Sequence, residues 1–416
     1  MSGVAELLKS FGHTVTGSDL KSGGHRAENI TRDIDVVVRT SAVNEGSPGW
    51  VEVLRARELQ IPVMKRSEIL GEITDKYKLI AVAGAHGKTT VTALLGLCLI
   101  EGGFDPTVLV GEKIHEFQDG VLKIGKSKYF VMESCEYDRS FLDFHPEAAI
   151  ITNIDLEHLD TYPGGLEEIK EAFLGFINNI KVGGVLVYCC DDKNLDEVVS
   201  KSNRNDIKII EFSKKDFVNY QEELKSLKIW GKHNQINAVS VIKMCEAMSM
   251  NDTEVIKRVF STFSGAKRRM EYYGEFGNNM VFDDYGHHPS EIRATLLALT
   301  EKYPNLPIRV VFWPHQYKRI LPLIEQFGGA FREADEVLVK PIYFVPGRDA
   351  ILQIDSSDLA RKIEEISKIR AKVMENDDEI VKYLEEKKNE EGIILTIGIP
   401  PVYEVAKNLT KRSEDG

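Results

Sequence analysis

One short segment constrains the fold more than any other part of the sequence. Residues 79–90 read LIAVAGAHGKTT, an apolar run followed by a glycine-containing turn and a second apolar stretch. A strand that turns through glycines into a helix exposes backbone N–H groups at the helix N-terminus, where phosphate oxygens bind. The segment therefore predicts a phosphate-binding loop, formed by Gly84, Ala85, His86, Gly87, Lys88, Thr89 and Thr90.

The loop differs from a strict Walker A motif at one position. Val82 stands where that motif has its first glycine, so the match is to a shortened Gly-x-x-Gly-Lys-Thr-Thr form. In this form Lys88 is placed to reach the β- and γ-phosphates, and the Thr89 hydroxyl is placed to bind Mg²⁺. The alternative is an ordinary strand–turn–helix with Lys88 in solvent. Because an apolar strand precedes the turn and an apolar helix follows it, the sequence favours ATP binding.

Short apolar runs alternate with helical spacing along the chain. The predicted strands are Val36–Thr40, Leu79–Ala83, Tyr129–Met132, Ala148–Asn153, Val185–Tyr188, Ile207–Phe212, Met280–Phe282, Ile308–Phe312, Glu336–Val339 and Gly392–Ile397. The predicted helices are Thr90–Ile100, Leu166–Ile180, Asn234–Met248 and Ser290–Tyr303. Strand, crossover helix and strand in this order indicate an α/β fold with parallel sheets.

We expect three α/β domains. One boundary is predicted near Asp75–Lys78, before the strand that leads into the phosphate loop. The other is predicted near Ser264–Arg269, where a glycine and a basic cluster follow a helical stretch. The predicted domains are residues 1–75, 76–266 and 267–416, which fit the usual size range.

Charge and cysteine content exclude several classes of protein. The chain has 53 basic and 65 acidic residues, a net charge of −12, which opposes a broad surface for nucleic acid. The cysteine count is odd, and no C-x-x-C pair is present for zinc or redox exchange. No apolar run approaches the roughly 20 residues that cross a bilayer. We therefore expect a cytoplasmic protein without a nucleic-acid or membrane partner.

Acidic residues follow two of the predicted strands. One cluster spans residues 133–138 and the other spans residues 155–160. Ligands of open parallel sheets bind at the carboxyl ends of the strands, so these carboxylates are candidates to hold a metal with a nucleotide. Solvated turn acids are the alternative, and His158 taken alone is a weak metal candidate. Asn234 and Asn237 lie one helical turn apart, although capping alone would explain Asn234.

A series of motifs resembles the Mur ligases in order and spacing. They are GAHGKTT, ESCEYDRSFL, TNIDLEHLDTY, GKHNQINA, KRRMEYYG, DDYGHHPSEI and FWPHQYKR, and they extend over nearly the whole chain. The resemblance implies a Rossmann-like N-terminal domain for a UDP-linked substrate and a central P-loop ATPase domain with a mostly parallel sheet. It also implies a Rossmann-like C-terminal domain that brings the amino acid.

The resemblance further implies ATP-driven amide formation through an acyl phosphate. Within the family it is greatest to ligases that join L-alanine to the carboxylate of UDP-N-acetylmuramate in peptidoglycan precursor synthesis, with ATP and Mg²⁺. One alternative is a related ligase that uses a peptide or another amino acid, as in muropeptide recycling. Another is a non-catalytic ATP-binding paralogue.

The same resemblance assigns roles to individual residues. The catalytic positions are Lys88, Glu133, His158, Asp284 and His287, and the metal positions are Thr89, Glu133 and His158. The ATP positions are the phosphate loop together with His233, Asn234, Asn237, Arg268 and Arg269. The substrate positions are Ser18, Asp19, Ser41 and Ala42 on the uridine side, and Tyr285, His315 and Arg319 around the amino acid.

The sequence departs from the family pattern at several places, including shortened stretches at Lys21–Gly24 and between Asp191 and Gly231. It starts with Met1, Ser2 and Gly3 where the family has a strand and a glycine-rich loop, so either the start codon is assigned too late or this domain binds its substrate differently. Gln316 replaces an arginine, and a neutral amide cannot reproduce a bidentate guanidinium. Residues 398–401 read GIPP in place of Gly-x-Gly-Asp. The last two departures bear on which amino acid is used.

Overall fold

The computed structural model describes residues 1–20, 23–345, 349, 353–399 and 401–414. Pro400, part of the GIPP segment, lies outside the described residues. The chain forms two compact units, of which the first comprises Met1–Leu227 and Ile236–Phe263 and the second comprises Lys228–Gln235 and Ser264–Gly416.

A seven-stranded sheet is the centre of the first unit. From edge to edge its strands are Gly120–Lys123, Thr107–Ile114, Tyr129–Glu133, Lys78–Ala83, Ala148–Ile151, Val185–Cys189 and Lys208–Phe212. All neighbours are parallel except Gly120–Lys123, which is antiparallel to Thr107–Ile114. The strand that leads into the phosphate loop thus lies in the middle, and the segments after its two neighbours emerge at the same edge.

Helices surround this sheet. The α-helices wholly within the unit are Ser2–Ser10, Trp50–Glu58, Arg66–Thr74, Lys88–Glu101, Leu166–Asn178, Lys193–Ser202, Gln221–Ser226 and Thr253–Thr262. Its 3₁₀ helices are Ala27–Asn29, His115–Phe117, Tyr137–Asp143 and Lys214–Tyr220. The helix Lys88–Glu101 is apolar on most of its surface and is buried at nearly every position, so it anchors the loop before it.

The N-terminal region contributes a two-stranded parallel sheet of Val37–Arg39 and Val63–Lys65. A small apolar cluster of its own contains Ile30, Ala56 and Ile61. Other apolar side chains of this region, including those of Val4, Leu7, Leu70 and Ile73, belong to the core of the large sheet. This shared core explains why the first two predicted domains form one unit, with the boundary predicted after residue 75 inside it.

The second unit contains a six-stranded sheet. Its strands, in spatial order, are Glu271–Phe276, Asn279–Asp284, Gly392–Ile397, Ile308–Phe312, Glu336–Val339 and Arg370–Val373, parallel except for the antiparallel first pair. Its helices are Pro289–Lys302, Tyr317–Ile320, the 3₁₀ turn Leu321–Leu323, Ile324–Gly329, Ser356–Ser367, Asp377–Glu386 and Tyr403–Glu414. The helix Lys232–Ala247 has its first residues in this unit and the remainder in the first.

The predicted strands and helices are all confirmed, with small shifts at their ends. Strands that the sequence analysis missed are Val63–Lys65, Thr107–Ile114, Gly120–Lys123, Glu271–Phe276 and Arg370–Val373. Among the described residues, no helix has both the length and the apolar character that crossing a bilayer requires.

Candidate active site

The phosphate loop requires glycine at two positions. Gly84 has φ +129°, and a Cβ atom there would lie 2.0 Å from Oγ1 of Thr152. Gly87 caps the helix Lys88–Glu101 with φ +83°, and a Cβ atom there would lie 2.7 Å from Oδ1 of Asn237. Both backbone conformations favour glycine, and both sites lack room for a side chain. The turn therefore holds its backbone close to its surroundings, as a phosphate cradle must.

The segment after the neighbouring strand Ala148–Ile151 ties the loop in place. The Asn153 Oδ1 atom accepts a hydrogen bond from the His86 N–H at 2.8 Å, and the Asn153 Nδ2 atom donates to the His86 carbonyl at 3.0 Å. The Thr152 hydroxyl donates to the same carbonyl at 2.6 Å. Asp155 Oδ2 lies 2.9 Å from Nε2 of His86. Residues 152–155 thus fix the loop, a role that the sequence analysis did not assign.

Lys88 is buried and folds back toward its own loop. Its Nζ atom donates to the carbonyl oxygens of Gly84 at 2.5 Å and Ala85 at 3.0 Å. It also lies 3.0 Å from Oε2 of Glu136. Burial acts to lower the pKa of Lys88, but the negative charges around it, chiefly that of Glu136, outweigh burial and raise the pKa. Lys88 is therefore a charged ammonium at the phosphate cradle.

Thr89 and Glu133, the two residues of the loop region to which the resemblance assigns a metal, contact each other. The Thr89 hydroxyl donates to Oε2 of Glu133 at 2.8 Å, and the Gly111 N–H donates to the same oxygen at 2.9 Å. A Cβ atom at Gly111 would lie 2.4 Å from Oε2 of Glu133, so glycine leaves the space that this carboxylate fills. A hydroxyl and a carboxylate beside a phosphate cradle are the oxygen ligands that Mg²⁺ prefers, so the residues present fit this ion.

His158 lies against a different carboxylate. Its Nε2 atom is 3.3 Å from Oε1 of Glu136 and 3.6 Å from Oε2 of Glu157, and its ring packs edge-on to Tyr137 at 5.0 Å. Ligand atoms of Cys135, Glu136 and His158 lie within 4.8 Å of one another. Burial raises the pKa of the Cys135 thiol to about 12, so the thiolate form that metals bind is disfavoured.

The N-terminal substrate positions form two separate groups. The Ser18 hydroxyl donates to Oε2 of Glu52 at 2.7 Å, and Asp19 forms a β-bridge with Gly23. The Ser41 hydroxyl donates to Oδ2 of Asp138 at 2.8 Å. Exposed Ala42 follows in the same turn. Ser41 is thereby connected to the segment that begins with Glu133.

The two arginines after residue 267 bind different partners. The Arg268 guanidinium pairs with Asp283 at 2.9 Å and donates to the carbonyl oxygens of Gly398 and Ile399. The Arg269 guanidinium lies 3.3 Å from Oε1 of Glu291 and keeps 29% of its side chain exposed. The contacts of Arg268 therefore lie within the second unit. Arg269 is the more accessible of the two arginines.

Asp284 and His287 are both held by the turn that follows their strand. Oδ2 of Asp284 accepts the Met270 N–H at 2.8 Å, and Oδ1 accepts the Gly286 N–H at 2.7 Å. Burial nevertheless raises the pKa of Asp284. Nδ1 of His287 lies 3.1 Å from the carbonyl oxygen of Tyr285. The two predicted catalytic residues of this unit thus share one turn with Tyr285.

The last two substrate positions surround a strained residue. The His315 ring stacks on Tyr343 at 5.7 Å, and Gln316 has φ +66°. Within the described part of the chain, Nη1 of Arg319 is buried without a hydrogen-bond partner. A buried guanidinium nitrogen is costly to leave unsatisfied, so this arrangement suits an incoming carboxylate.

His233 and Asn234 open the helix Lys232–Ala247. The Nδ2 atom of Asn234 donates to the Trp230 carbonyl at 2.8 Å. Burial, assisted by the positive charge of Arg269, lowers the pKa of His233 to about 4. The imidazole is therefore neutral at pH 7.

This lowered pKa predicts how stability depends on pH. Because the folded-state pKa lies below the ordinary value of 6.5, the folded chain binds fewer protons than the unfolded chain, and stability is lost as the pH falls from about 6.5 toward 4. Relative to His233→Gln, we expect the free energy of unfolding of the parent protein to fall by on the order of 2 kcal/mol between pH 7 and pH 5. The free energy of unfolding of both proteins is measured at each pH by denaturant titration, followed by tryptophan fluorescence. The same pH dependence in the parent protein and in His233→Gln would contradict the prediction.

Comparison with known proteins identifies the family. Three family models match in succession: the Mur ligase family, catalytic domain at residues 1–78, the Mur ligase middle domain at 82–245 and the Mur ligase, glutamate ligase domain at 268–399. The UDP-N-acetylmuramate–L-alanine ligase of Acetivibrio thermocellus is 37% identical over 448 residues, covering 99% of this chain and 93% of the relative. The chain belongs to the Mur ligase family. The ligase of the same name from Clostridium kluyveri is also 37% identical, over 98% of this chain and 94% of its own length.

Solved structures share the fold of this Mur ligase. The UDP-N-acetylmuramate-alanine ligase of Thermotoga maritima matches with a TM-score of 0.78 at 24% identity, covering 100% of this chain and 96% of that one. The murein peptide ligase of Psychrobacter arcticus matches with a TM-score of 0.67 at 21% identity, over 99% and 96%. The predicted three-domain α/β class and the ATP-dependent ligase class are thereby confirmed. The domain boundaries and individual site residues stay predictions.

The sequence analysis of this Mur ligase missed one central residue. Glu136 lies in the acidic cluster of residues 133–138 but has no role in the sequence analysis, although it contacts both Lys88 and His158. Its position three residues after Glu133 was the available signal. A second carboxylate in a turn is more often solvated than buried, so this signal was weak.

Proposed function

We propose that this Mur ligase joins L-alanine to the carboxylate of UDP-N-acetylmuramate in peptidoglycan precursor synthesis, with ATP and Mg²⁺, in the cytoplasm. The observation that carries the proposal is the phosphate loop whose Lys88 and Thr89 converge with acidic residues of the adjacent strand end. The full-length relatives that bear the name of this reaction support the choice of substrates.

The chemistry follows from charge placed around the transferred group. The γ-phosphoryl of ATP passes to the muramate carboxylate, the amine of alanine attacks the acyl phosphate, and phosphate leaves. Lys88 stabilises the charge that develops on the phosphoryl oxygens, and the loop N–H groups orient them. Thr89 and Glu133 would hold Mg²⁺, with His158 at a second position. When bound, the ion would offset the charge of the polyphosphate.

The remaining roles are those that the family resemblance implies. His233, Asn234 and Asn237 serve the adenine side, and Arg269, more accessible than Arg268, serves the phosphates. Asp284 and His287 act at the nucleotide site. Ser18, Asp19, Ser41 and Ala42 bind the uridine side of the substrate.

The amino acid is held by residues of the second unit. Tyr285, His315 and Arg319 surround it, and the unsatisfied Nη1 of Arg319 supports a contact with its carboxylate.

A ligase that adds a peptide or a different amino acid is the second candidate. The observation that favours it is Gln316, a neutral residue beside His315 where the family pattern has arginine. Loss of one cation weakens recognition of a small free amino acid more than recognition of a peptide, which offers further contacts.

Product mass separates the candidates. The purified chain is incubated with UDP-N-acetylmuramate, ATP and MgCl₂, together with L-alanine, another amino acid or the tripeptide L-alanyl-γ-D-glutamyl-meso-diaminopimelate. We expect a product heavier by one alanine residue, formed with ADP and phosphate in equal amounts. A product with the tripeptide or the other amino acid, but not with L-alanine, would establish the second candidate. Absence of any product would contradict both.

A further inference from the structure

Glu136 occupies the space between two residues that the proposed function uses. Its side chain is 2% exposed. Oε2 lies 3.0 Å from Nζ of Lys88, and Oε1 lies 3.3 Å from Nε2 of His158. An ammonium at 3.0 Å favours the charged form of a carboxyl group, so the group between Lys88 and His158 is a carboxylate.

Glu136 completes the hydrogen bonding of Lys88. An ammonium has three protons to donate. In this protein the acceptors are the carbonyl oxygens of Gly84 and Ala85 and the carboxylate of Glu136. Of these three acceptors only Glu136 is charged, so it supplies the negative charge that balances the buried ammonium. The orientation of the lysine at the phosphate cradle thus depends on this carboxylate.

The backbone around Glu136 is fixed independently. Its carbonyl oxygen accepts the Tyr162 hydroxyl at 2.6 Å and the Arg139 N–H at 3.0 Å. Asp138 and Arg139, which follow, have φ values of +53° and +54°. Backbone in this region is strained for residues with a side chain and persists where the surroundings impose it. Glu136 is therefore held as a rigid support.

Glu136 contacts Lys88 and His158 from within the protein, and its role therefore differs from that of residues that would contact the nucleotide. We propose that Glu136 is a positioning residue, which sets the Lys88 ammonium and the His158 imidazole for phosphoryl transfer without itself contacting ATP. This inference rests on the proposed function. Glu136 also competes with phosphate for Lys88 because both are anions. Removing its charge therefore slows turnover but does not weaken nucleotide binding.

Steady-state kinetics on the full chain test the inference with Glu136→Gln, which keeps the size and removes the charge. We expect kcat to fall about ten- to one-hundredfold, since misplacement of reacting groups by about 1 Å has effects of this size. The KM for ATP should stay within about twofold or decrease. Glu136→Asp, which keeps the charge, should recover part of the lost kcat.

Glu168→Gln is the matched control. Glu168, in the helix Leu166–Asn178, pairs at 2.5 Å with Arg139 of the turn that follows Glu136, but in the described structure it contacts neither Lys88 nor His158. We expect its kcat to stay near that of the parent protein. If Glu136→Gln does not fold, Glu136→Asp decides, with a lower kcat at unchanged KM as the supporting result.

Two results would overturn the inference. One is a kcat near the parent value in both variants, and the other is a rise in the KM for ATP that matches the fall in kcat, which would mean direct nucleotide contact. Failure of the proposed function is distinct from both, because the parent protein would then form no product.

Discussion

Replacing Lys88 with alanine is expected to lower the rate of ATP-dependent product formation by about a thousandfold or more. The ammonium is the buried cation at the phosphate cradle, and a positioned cation of this kind commonly contributes such a factor to phosphoryl transfer. Product mass and ADP release measure the loss. A turnover near that of the parent protein would remove Lys88 from the site.

A lower rate in Lys88→Ala has two possible causes, loss of the catalytic cation and loss of the folded structure, and the controls must separate them. Without Lys88 the buried Glu136 carboxylate has no ammonium beside it, a change that costs about 3–5 kcal/mol in comparable pairs. Thermal unfolding of each variant is therefore measured beside activity. Lys78→Ala removes a half-exposed lysine at the start of the strand that leads into the loop, and it should leave turnover unchanged. Lys88→Arg keeps the charge and should preserve the fold better than alanine while still lowering kcat.

The phosphate loop could be predicted because its information is local. An apolar strand, two glycines with positive φ and an apolar helix all lie within residues 78–101. The contact between Thr89 and Glu133 agrees with the shared metal role that the family resemblance implies: Glu133 ends one strand, and Thr89 lies in the helix that follows the adjacent parallel strand.

The support provided by Glu136 could not be predicted in the same way. It lies 48 residues from Lys88 along the chain, and a turn with positive φ at Asp138 and Arg139 follows it. Acidic residues in turns are usually solvated, so the residue type alone predicted an exposed Glu136 and not a buried ion pair with Lys88. Only the tertiary arrangement reveals it.

The missed strands share a physical cause. Thr107–Ile114 turns polar after its first half, and Arg370–Val373 alternates basic and apolar residues at the edge of its sheet. Edge strands such as Arg370–Val373 bury one face or none and lack the continuous apolar run that identified the central strands, whereas Thr107–Ile114 is an inner strand with such a run over only half of its length. The pairing of Gly120–Lys123 with Thr107–Ile114 likewise depends on neighbours supplied by the rest of the fold.

Replacing Glu133 with glutamine should have the second-largest effect. The amide keeps the size of the side chain and can still accept hydrogen bonds from Thr89 and Gly111, but it lacks the negative charge that draws Mg²⁺ to this strand end. We expect kcat to fall about a hundredfold or more and the Mg²⁺ concentration for half-maximal rate to rise. Activity titrated against MgCl₂ measures both.

Glu147→Gln is the control for this substitution, since Glu147 lies half-exposed beside Lys78 at the far end of the sheet. Its Mg²⁺ titration should match that of the parent protein. For both proteins, removal of divalent ions with EDTA should abolish turnover, and added MgCl₂ should restore it. If Glu133→Gln instead lowered kcat with an unchanged Mg²⁺ dependence, Glu133 would act by orienting Thr89, and the ion would have to be held elsewhere.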